Sequence, residues 1–567
     1  MDYALPKLRA VADLAVLPLV PLPPSALTVA AELGVSVADP VPLRGVDLVD
    51  HVVEQARADG ITGLIALAEF AQLTVARAAE RLGLRGTGPN AIRSRDKLEM
   101  RSVWEAAGLP NPRFRPVASA SELAEIVTDF GEPVLLKSRT SSGSIGQTVV
   151  TGPELAASAW ADVQHAIGRA RDLDRVDPQS DADSALMMAE TLIPSTTRSW
   201  YEVPGYGDYL SVEGIVVDGR YHPICITGRL PTIAPFTELS NQAPCALPEP
   251  LQRIIEAQSR RAVDALGLQT CGTHTEMKLL DDNGLCLLET AARLGGAMVT
   301  REVETVFGID LISELARALL GETVQLPTEM LISGDRAAAS VALIATDSRG
   351  VPWRRLPDFD PERIEQSKLF SPGSRAEVIA GQSIAAQTPM PLYDVASGVL
   401  NFAGLLFLEA DDPAVLLQDT YALLDGLEEA LTPSENPPVR LDSGPVTADE
   451  VAELFRVAEL HGPLDDLARM QRMLDEAQQV VVARATDGTL VGLIRVLTDF
   501  SFNAFIADLA VRPEWQQQGV GSRLVEAVTA QHPGVKFVVQ PGHDSGSFWS
   551  KVGFEPAPTC MVRPRHG

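Results

Sequence analysis

The sequence predicts a multidomain protein that combines α/β and α+β architecture. A chain of 567 residues is too long for one hydrophobic core, and about three to five domains are expected. Residues 1 to about 90 alternate short apolar runs with helix-like segments, which is typical of βαβ units around a parallel sheet. A hydrophobic content of 46% with 22% charged residues is typical of folded globular domains.

Apolar runs, helix-like segments and loop-forming residues divide the chain into consecutive parts. Residues 432–445, TPSENPPVRLDSGP, have the proline, serine and asparagine content of a linker, so the part of the chain after them is predicted to fold independently. The predicted parts are an N-terminal α/β domain (1–90), a mixed lobe (91–187), a strand-rich lobe (188–330), a further lobe ending in a helix (331–431), the linker, and a last domain (446–567).

The charge and cysteine content exclude several classes of protein. A formal net charge of −28 disfavours binding to nucleic acid or to an anionic membrane, because both require a basic surface. Five cysteines without a C-x-x-C pair indicate reduced thiols rather than a disulfide framework. The beginning, MDYALPKLRA, does not have the pattern of a signal peptide, and prolines interrupt the most apolar early run. We therefore expect a soluble, cytoplasmic protein.

Residues 274–296, HTEMKLLDDNGLCLLETAARLGG, place two glutamates on either side of a turn-forming D-D-N-G run. Apolar flanks around such a run predict a β-hairpin in which residue 280 pairs with 285 and Glu276 with Glu289. Carboxylates that face each other across two strands repel unless a cation lies between them, and Mg²⁺ binds such oxygens together with substrate phosphates. The alternative is a surface hairpin whose charges face water.

Two lysines precede this hairpin in regions that also suggest phosphate binding. Lys97 begins a predicted helix, and Lys137 ends the apolar strand PVLLK before the serine- and glycine-rich run SRTSSGSIG. Glycine allows backbone N–H groups to approach phosphates closely, although the spacing is not that of a Walker A motif. A flexible surface loop is the alternative. The later apolar strand MMAETLI offers its backbone to an adenine edge, but a core strand has the same pattern.

Taken in order, these motifs resemble the ATP-grasp superfamily over roughly residues 1–430. The matching segments are GPNAIRSRDKLEMRSVWEAAGLPNP, PVLLKSRTSSGSIG, AETLI, SVEGIVVDG and HTEMKLLDDNGLCLLETAARLGG. The resemblance implies a Rossmann-like preATP-grasp domain, two lobes that clamp ATP, and a C-terminal lobe.

The same resemblance assigns roles to individual residues. It implies that Lys137 and Arg293 are catalytic, with Arg293 stabilising the transition state of an acyl phosphate, and that Glu276 and Glu289 bind Mg²⁺ or Mn²⁺. It implies ATP contacts from Lys97, Lys137, Ser142, Gly143, Ser144, Glu190, Leu192 and Ile193. Many family members have an asparagine two residues after the second glutamate as a further metal ligand, whereas this chain has Ala291. A water, or bidentate binding by Glu289, would have to replace it.

Within the superfamily, the chain is most similar to bacterial L-amino-acid ligases, which form dipeptides and related amides. The similarity rests on LIALAEFAQLTVARAAERLGLRGTGP, on ETAARLGG and on the strand-rich part after residue 335. It implies small amino acid or amine substrates and a homodimer. Candidate substrate contacts are Glu69, Gly295, Gly296 and Arg301, although Glu69 and Arg301 also fit exposed charges without that role.

The last domain contains a second glycine-rich turn, in ADLAVRPEWQQQGVGSRLVEAV. A strand leads into Q-x-x-G-x-G, and a helix follows, so backbone N–H groups would form an anion site at the helix N-terminus. An ordinary strand–turn–helix corner is the alternative. Together with KFVVQPG and FWSKVGF, this segment resembles the GNAT acetyltransferases. The resemblance implies acetyl-CoA binding by Leu509, Val511, Gln516, Gln518, Gly519, Val520, Gly521 and Ser522.

One departure from the GNAT pattern bears on activity in this domain. Trp549 stands where many family members have a tyrosine, and an indole N–H is not a usable acid for a leaving thiolate. Asp499, Asp508 or His543 would assist an amine, or each has a structural role. The favoured hypothesis is an ATP-dependent amide ligase whose GNAT domain acetylates a substrate or product. The alternatives are a GNAT domain that only senses acyl-CoA, and a relative of ADP-forming acyl-CoA synthetases.

Overall fold

The computed structural model describes two compact units, residues 1–432 and residues 433–567. The described residues are 2–19, 21–41, 47–140, 143, 145–172, 187–395, 397–432, 439–516, 518–542 and 545–557, without the side chains of 169–172 and 547. Among them, no helix is long and apolar enough to cross a membrane.

The first 90 residues are mainly helical. Two short strands pair in parallel, at residues 15–16 and 36–37, which is less sheet than the apolar pattern predicts. The apolar run at 64–67 instead packs its side chains against hydrophobic clusters of the neighbouring elements. The elements are α1 (Ala4–Val11), β1 (Ala15–Val16), α2 (Pro24–Glu32), β2 (Ser36–Val37), α3 (Leu48–Ala58) and α4 (Gln72–Leu82).

The next lobe is an antiparallel sheet covered by two helices. The sheet has the order β3-β6-β4-β5, and the apolar side chains of α6 and α7 pack against it. The predicted helix and strand around the two lysines are confirmed as α5 and β4. The elements are α5 (Lys97–Ala106), β3 (Phe114–Val117), α6 (Ala120–Phe130), β4 (Val134–Ser138), β5 (Gln147–Val150), α7 (Ala156–Asp172) and β6 (Met187–Thr191).

The following lobe carries the predicted hairpin. Its sheet has the order β11-β10-β7-β8. Helix α8 contributes to a hydrophobic core with these strands and with α5, where Trp104 donates its indole N–H to the carbonyl of Ala262. The elements are β7 (Tyr209–Val217), β8 (Arg220–Thr227), β9 (Ser240–Ala243), α8 (Glu249–Leu266), β10 (Cys271–Leu279), β11 (Leu285–Ala291), α9 (Val299–Phe307) and α10 (Leu311–Leu320).

The last part of the first unit is a sheet with the order β13-β14-β12-β9. The observed sheet therefore includes β9, which lies within the range predicted for the preceding lobe. Helix α12 packs its leucines against this sheet. The elements are β12 (Ala337–Ile344), α11 (Pro361–Glu365), β13 (Arg375–Val378), β14 (Phe402–Ala410) and α12 (Pro413–Leu431).

The second unit is a sheet with the order β15-β16-β17-β18-β19, in which β18 and β19 are parallel and the other neighbours are antiparallel. One hydrophobic cluster joins the sheet to α13 and α14, and another joins it to α15 and α16. The elements are β15 (Arg440–Asp442), α13 (Ala448–Val457), α14 (Leu467–Asp475), β16 (Gln479–Arg484), β17 (Leu490–Thr498), β18 (Asn503–Val511), α15 (Val520–Thr529), β19 (Lys536–Val539) and α16 (Gly546–Lys551).

Candidate active site

The hairpin of β10 and β11 places Glu276 directly opposite Glu289, as predicted. The predicted pairing of residues 280 and 285 is wrong, because Leu279 pairs with Leu285. A β-bulge between Glu276 and Met277 adds one extra residue, Leu288, to the partner strand. This extra residue compensates for the one-residue difference at the turn, so Glu276 still faces Glu289. Such bulges re-aim side chains. Here both Leu288 and Glu289 line the same cavity, although neighbours in a regular strand face opposite sides.

One of the two predicted lysines, Lys97, contacts the hairpin from the adjoining lobe, and Lys137 lines the same cavity. Lys97 Nζ lies 3.0 Å from Glu289 Oε2. Lys137 forms an ion pair with Glu190, whose other oxygen accepts from Arg101 Nε at 3.1 Å. Glu190, predicted to lie in the adenine-binding segment, therefore has a buried side chain that two cations neutralise.

A capping carboxylate brings the two lysine segments together. Asp96 caps α5 by accepting from the backbone N–H of Leu98 at 2.9 Å. The same carboxylate accepts from Arg139 Nε at 2.9 Å, and the Lys97 N–H donates to the Arg139 carbonyl at 2.9 Å. The end of β4 is thus tied to the start of α5, which fixes the spacing of the lysines.

Burial changes the acidity of the Lys137–Glu190 pair. Burial, together with the positive charges of Arg101 and Lys97, lowers the pKa of Lys137 to about 8, although Glu190 opposes that change. Burial alone would raise the pKa of Glu190, but Arg101 and Lys137 hold it below the usual value. At neutral pH, Lys137 is therefore a cation that gives up its proton more easily than an exposed lysine.

A cavity of about 640 Å³ lies beside these groups. Many predicted site residues line it, from Glu69 and the two lysines through Gly143 to the hairpin glutamates. The predicted ATP-binding Ser142 and Ser144 lie outside the described residues. The predicted site residues in the lining are Glu69, Lys97, Lys137, Gly143, Glu190, Leu192, Ile193, Glu276, Glu289, Arg293 and Gly296, with Ala291 beside them.

Arg293, the predicted transition-state cation, forms an ion pair with Glu69. Glu69 also lies 3.7 Å from Arg95 Nη1. Burial opposes the charge of Arg293, but Glu69 outweighs that effect and raises the pKa of the guanidinium. Two residues predicted independently, one from the N-terminal domain and one after the hairpin, therefore meet at the wall of the cavity.

The G-G-A-M turn after Arg293 has a constrained backbone. Gly296 and Ala297 line the cavity, and Ala297 and Met298 adopt φ values of 45° and 64°, which are uncommon for residues other than glycine. Gly295 is absent from the cavity lining among the described residues. A Cβ on it would lie 2.8 Å from Glu213 Oε2, so this glycine provides room for a buried carboxylate.

Arg301 does not lie where a predicted substrate contact would be expected. Its Nη2 donates to Glu377 at 2.6 Å, and its guanidinium lies 4.1 Å from the ring centroid of Phe407. Arg301 is not among the described residues that line the cavity.

The structure adds buried polar residues that the sequence analysis missed. Burial lowers the pKa of His274, but the carboxylates of Glu213 and Glu276 outweigh that effect and raise it to about 9. Arg229 and Glu238 also line the cavity, with Arg229 Nε 3.9 Å from Glu238 Oε2. The alternation of His274, Glu276 and Lys278 on β10 already indicated one polar face. No comparable signal marked Arg229, because its cavity position depends on how the strands pair.

The donor set fits Mg²⁺ or Mn²⁺ only if substrate completes the coordination. Glu276 and Glu289 supply carboxylate oxygens on adjacent strands, and Mg²⁺ typically binds one or two carboxylates together with phosphates and waters. Among the described residues, no group of three or more histidines, cysteines, aspartates or glutamates has the arrangement of a metal site. Ala291, also in the lining, contributes no side-chain ligand.

In the second unit, the predicted glycine turn lies at the start of α15. Gly519 has a φ of 77° and caps the helix, and a Cβ on Gly521 would lie 3.3 Å from the ring of Phe548. The side chain of Gln516 donates to the carbonyl of Val511 at 2.9 Å and that of Gln518 to Glu514 at 2.7 Å. These contacts fix the turn that precedes α15.

The strand before this turn, β18, contains a bulge and is paired with β19 over only part of its length, while its pairing with β17 continues to Val511. Arg495 pairs with Asp508 and Val496 with Ile506, which leaves Ala507 as an extra residue in β18. The pairing of β18 with β19 covers Asn503 to Ile506 only. Leu509 and Val511, predicted to bind acetyl-CoA, lie beyond the point where these two strands are paired.

The residues considered for acid–base chemistry in this unit have structural partners. Trp549 is buried and packs edge-on against Phe548 and Phe554, each 5.2 Å away between ring centroids. Asp508 forms an ion pair with Arg495, and Asp499 accepts hydrogen bonds from backbone N–H groups of its own turn. His543 lies outside the described residues.

The first unit has the ATP-grasp fold. It is similar to the solved L-amino acid ligase from Bacillus licheniformis, with a TM-score of 0.51, 21% identity, and coverage of 69% of this chain and 86% of that one. It is also similar to the biotin carboxylase domain of the Hydrogenobacter thermophilus 2-oxoglutarate carboxylase, solved with MgADP, with a TM-score of 0.50, 14% identity, and coverage of 73% and 84%. At these identities, the likeness establishes the fold.

Sequence comparisons indicate which known proteins each unit resembles. The chain is 33% identical over 287 residues to the alanine–anticapsin ligase of Bacillus subtilis strain 168, a match that covers 50% of this chain and 60% of that ligase. Residues 447–554 match the Acetyltransferase (GNAT) family. The chain thus joins an ATP-grasp unit that resembles amino-acid ligases to a GNAT domain, which confirms the predicted fold class.

Proposed function

We propose that the first unit is an ADP-forming ligase that joins the carboxylate of one amino acid to an amine through an acyl phosphate. The observation that carries this proposal is the meeting of Glu276, Glu289, Lys97 and Lys137 around one cavity with Arg293. Phosphoryl transfer to a carboxylate depends chiefly on positioning and on neutralising the β- and γ-phosphates. These side chains match that need, and the similarity to amino-acid ligases supports amino acids as the substrate class.

Each charged group has a distinct part in the proposed mechanism. Lys97 and Lys137 bind phosphate oxygens, and Glu276 and Glu289 hold Mg²⁺ or Mn²⁺, which supplies further charge neutralisation. Leu192 and Ile193 line the cavity beside Glu190, where the adenine is proposed to lie. Leu192 is 37% exposed, which leaves its side chain free to contact a base.

The amine then attacks the acyl phosphate, and phosphate leaves. Negative charge develops on the carbonyl oxygen in this step, and Arg293 is the cation proposed to stabilise it. Glu69 orients Arg293 through their ion pair. The backbone at Gly296 and Ala297, next to the left-handed turn that Ala297 and Met298 form at the start of α9, is proposed to approach a substrate carboxylate.

The experiment that tests this proposal measures ADP release from ATP and Mg²⁺ with all pairs of common amino acids. Release that requires one particular pair, with the matching amide detected by mass spectrometry, is the expected result. Steady ATP hydrolysis that no pair stimulates, without any amide, would contradict the proposal. Repeating the panel with acetyl-CoA shows whether the acceptor must first be acetylated.

For the second unit, we propose that acetyl-CoA binds with its pyrophosphate at the first turn of α15 and acetylates a substrate or product of the ligase. The support is the GNAT match together with the glycine turn between β18 and α15. A second candidate is that the domain only senses acyl-CoA, and the burial of Trp549 among phenylalanines favours it. Acetyl transfer to an amine, measured with labelled acetyl-CoA, separates the two.

We propose a cytoplasmic setting and a homodimer for the whole protein. The buried thiols of Cys225, Cys245, Cys271 and Cys286, none of which forms a disulfide, are consistent with a reducing compartment. Light scattering coupled to gel filtration tests the dimer, which a mass of 60.6 kDa in solution would exclude.

A further inference from the structure

His274 lies between two buried carboxylates on adjacent strands of the hairpin sheet. Its Nδ1 lies 2.9 Å from both oxygens of Glu213, and its Nε2 lies 3.3 Å from Glu276 Oε1. Glu213 is 1% exposed and His274 is 7% exposed. The histidine therefore links a fully buried carboxylate to one of the two carboxylates proposed to bind the metal.

Neighbouring side chains fix Glu213 itself. Ser211 and Thr227 donate to its Oε1 at 2.9 and 3.0 Å. Arg229 in turn donates to Ser211 Oγ at 2.8 Å and to Thr227 Oγ1 at 3.1 Å. A continuous buried network thus runs from Arg229, at the cavity wall, through Glu213 and His274 to Glu276.

The backbone after Arg293 also confines Glu213. A Cβ on Gly295 would lie 2.8 Å from Glu213 Oε2, so any residue with a side chain would displace the carboxylate. Such close packing leaves Glu213 little freedom to rotate. It is a fixed acceptor against which the imidazole of His274 can be oriented.

We propose that Glu213 and His274 are positioning residues that fix the carboxylate of Glu276 for the divalent cation. This inference rests on the proposed function, in which Glu276 is a metal ligand. His274 contacts Oε1 of Glu276 at 3.3 Å, so it constrains the rotation of the carboxylate.

The physical reason is that a metal ligand held in one orientation loses less conformational freedom when the ion binds. Groups that hydrogen-bond to metal ligands typically change metal affinity by about 10- to 100-fold when they are removed. The effect should therefore appear as weaker metal binding. Nucleotide binding measured without metal should not change, because neither Glu213 nor His274 lies among the residues proposed to contact ATP.

The test is Mn²⁺ binding to the full chain in the presence of a nonhydrolysable ATP analogue, followed by electron paramagnetic resonance. We expect His274→Asn to weaken Mn²⁺ binding about tenfold, because asparagine keeps a donor near the Nδ1 position and loses the one near Nε2. His274→Gln, which keeps a donor near Nε2, should recover part of the loss. Glu213→Gln should also weaken Mn²⁺ binding, and it is the decisive variant if His274→Asn does not fold.

His222→Asn is the matched control, because His222 lies on β8 of the same sheet and is absent from the cavity lining among the described residues. Its Mn²⁺ affinity should equal that of the wild type. Equal losses in His222→Asn and His274→Asn would overturn the inference, because they would reflect general destabilisation. Wild-type affinity in both His274→Asn and Glu213→Gln would overturn it as well.

Glu276→Gln separates this inference from the proposed function. If Glu276→Gln binds Mn²⁺ like the wild type, the metal site and the ligase mechanism built on it are wrong. If Glu276→Gln loses binding while the His274 and Glu213 variants keep it, only the positioning role is wrong.

Discussion

The two units approach the binding of phosphate groups in different ways. In the first unit, the candidate phosphate site consists of side-chain charges, with Lys97 and Lys137 each paired to a glutamate in a cavity. In the second unit, it consists of backbone, since Gly519 and Gly521 shape the N-terminus of α15. The first arrangement neutralises charge that moves during a reaction, whereas the second suits a ligand that is held but not transformed there.

This contrast indicates the kind of substitution to which each unit should be sensitive. A site of buried charges should respond to changes that keep volume and remove charge. A site of backbone N–H groups should respond to changes that add a side chain and keep charge. The two units can therefore be tested separately in one chain, and each variant reports on one site while the other serves as an internal control.

The largest expected effect is that of Glu289→Gln on the first unit. The amide keeps the volume of the side chain and loses the charge that pairs with Lys97 and is proposed to bind Mg²⁺. ADP release should fall by at least about 100-fold, because metal-based charge stabilisation contributes several kcal/mol. Acetyl-CoA affinity, measured by calorimetry, should not change.

Glu105→Gln on the exposed face of α5 is the control for this variant and should keep the wild-type rate. A wild-type rate of ADP release in Glu289→Gln would show that the hairpin is not part of the active site. Loss of acetyl-CoA binding in the same variant would contradict the independence of the two sites.

The second-largest effect is expected for Gly521→Val in the second unit, which adds a side chain and leaves the charge unchanged. A Cβ here already approaches Phe548 at 3.3 Å, and the branched side chain would block ligand access to the first turn of α15. Acetyl-CoA should bind at least about tenfold more weakly, the equivalent of one or two lost hydrogen bonds. Calorimetry measures the affinity, and ADP release should stay at the wild-type rate.

Gly534→Val is the matched control, because no atom lies within 4 Å of a Cβ built on Gly534. Unchanged acetyl-CoA affinity in Gly521→Val would show that the turn is an ordinary strand–helix corner.

A smaller effect is expected from the acidity of Lys137. With a pKa of about 8, Lys137 is a cation below pH 8 and loses its charge as the pH rises above it. The value of kcat/KM for ATP should therefore fall as the pH rises through 8. Lys137→Arg should remove this inflection, because a guanidinium remains charged throughout this range.

Initial rates of ADP release between about pH 6.5 and 9.5 provide the measurement. Because kcat/KM reports on the free enzyme, the inflection should match the pKa of Lys137 in the unliganded site. An inflection that persists unchanged in Lys137→Arg would assign it to another group.

The smallest effect is expected for Arg301→Ala. Arg301 contacts Glu377 and Phe407, and exposed ion pairs typically contribute about 0–1 kcal/mol. The KM values of both amino acid substrates should stay within about twofold of the wild type. A tenfold rise in either KM would indicate that Arg301 contacts a substrate and that the cavity extends to it.

Local sequence patterns were sufficient to predict several parts of the site. The D-D-N-G run and its apolar flanks predicted the hairpin, since turn chemistry is a local property. The predicted pairing of Glu276 with Glu289 is confirmed, but it also depends on the bulge at Leu288, which the pattern did not contain. Lys97 at a helix start and Lys137 at a strand end were likewise readable from neighbouring residues. The glycine turn before α15 was readable for the same reason, because the φ of 77° at Gly519 is a backbone state that favours glycine.

Tertiary packing decided which distant groups meet and what those contacts do. The bulge at Leu288, the ion pair between Glu69 and Arg293, and the link from Glu213 through His274 to Glu276 depend on strand register and lobe packing. Their members lie up to 224 positions apart in the chain, so no local pattern contains them. The sequence alone specified which chemical groups this protein carries. Packing specified which of those groups are buried and paired, because burial and Coulomb interactions depend on distance in space.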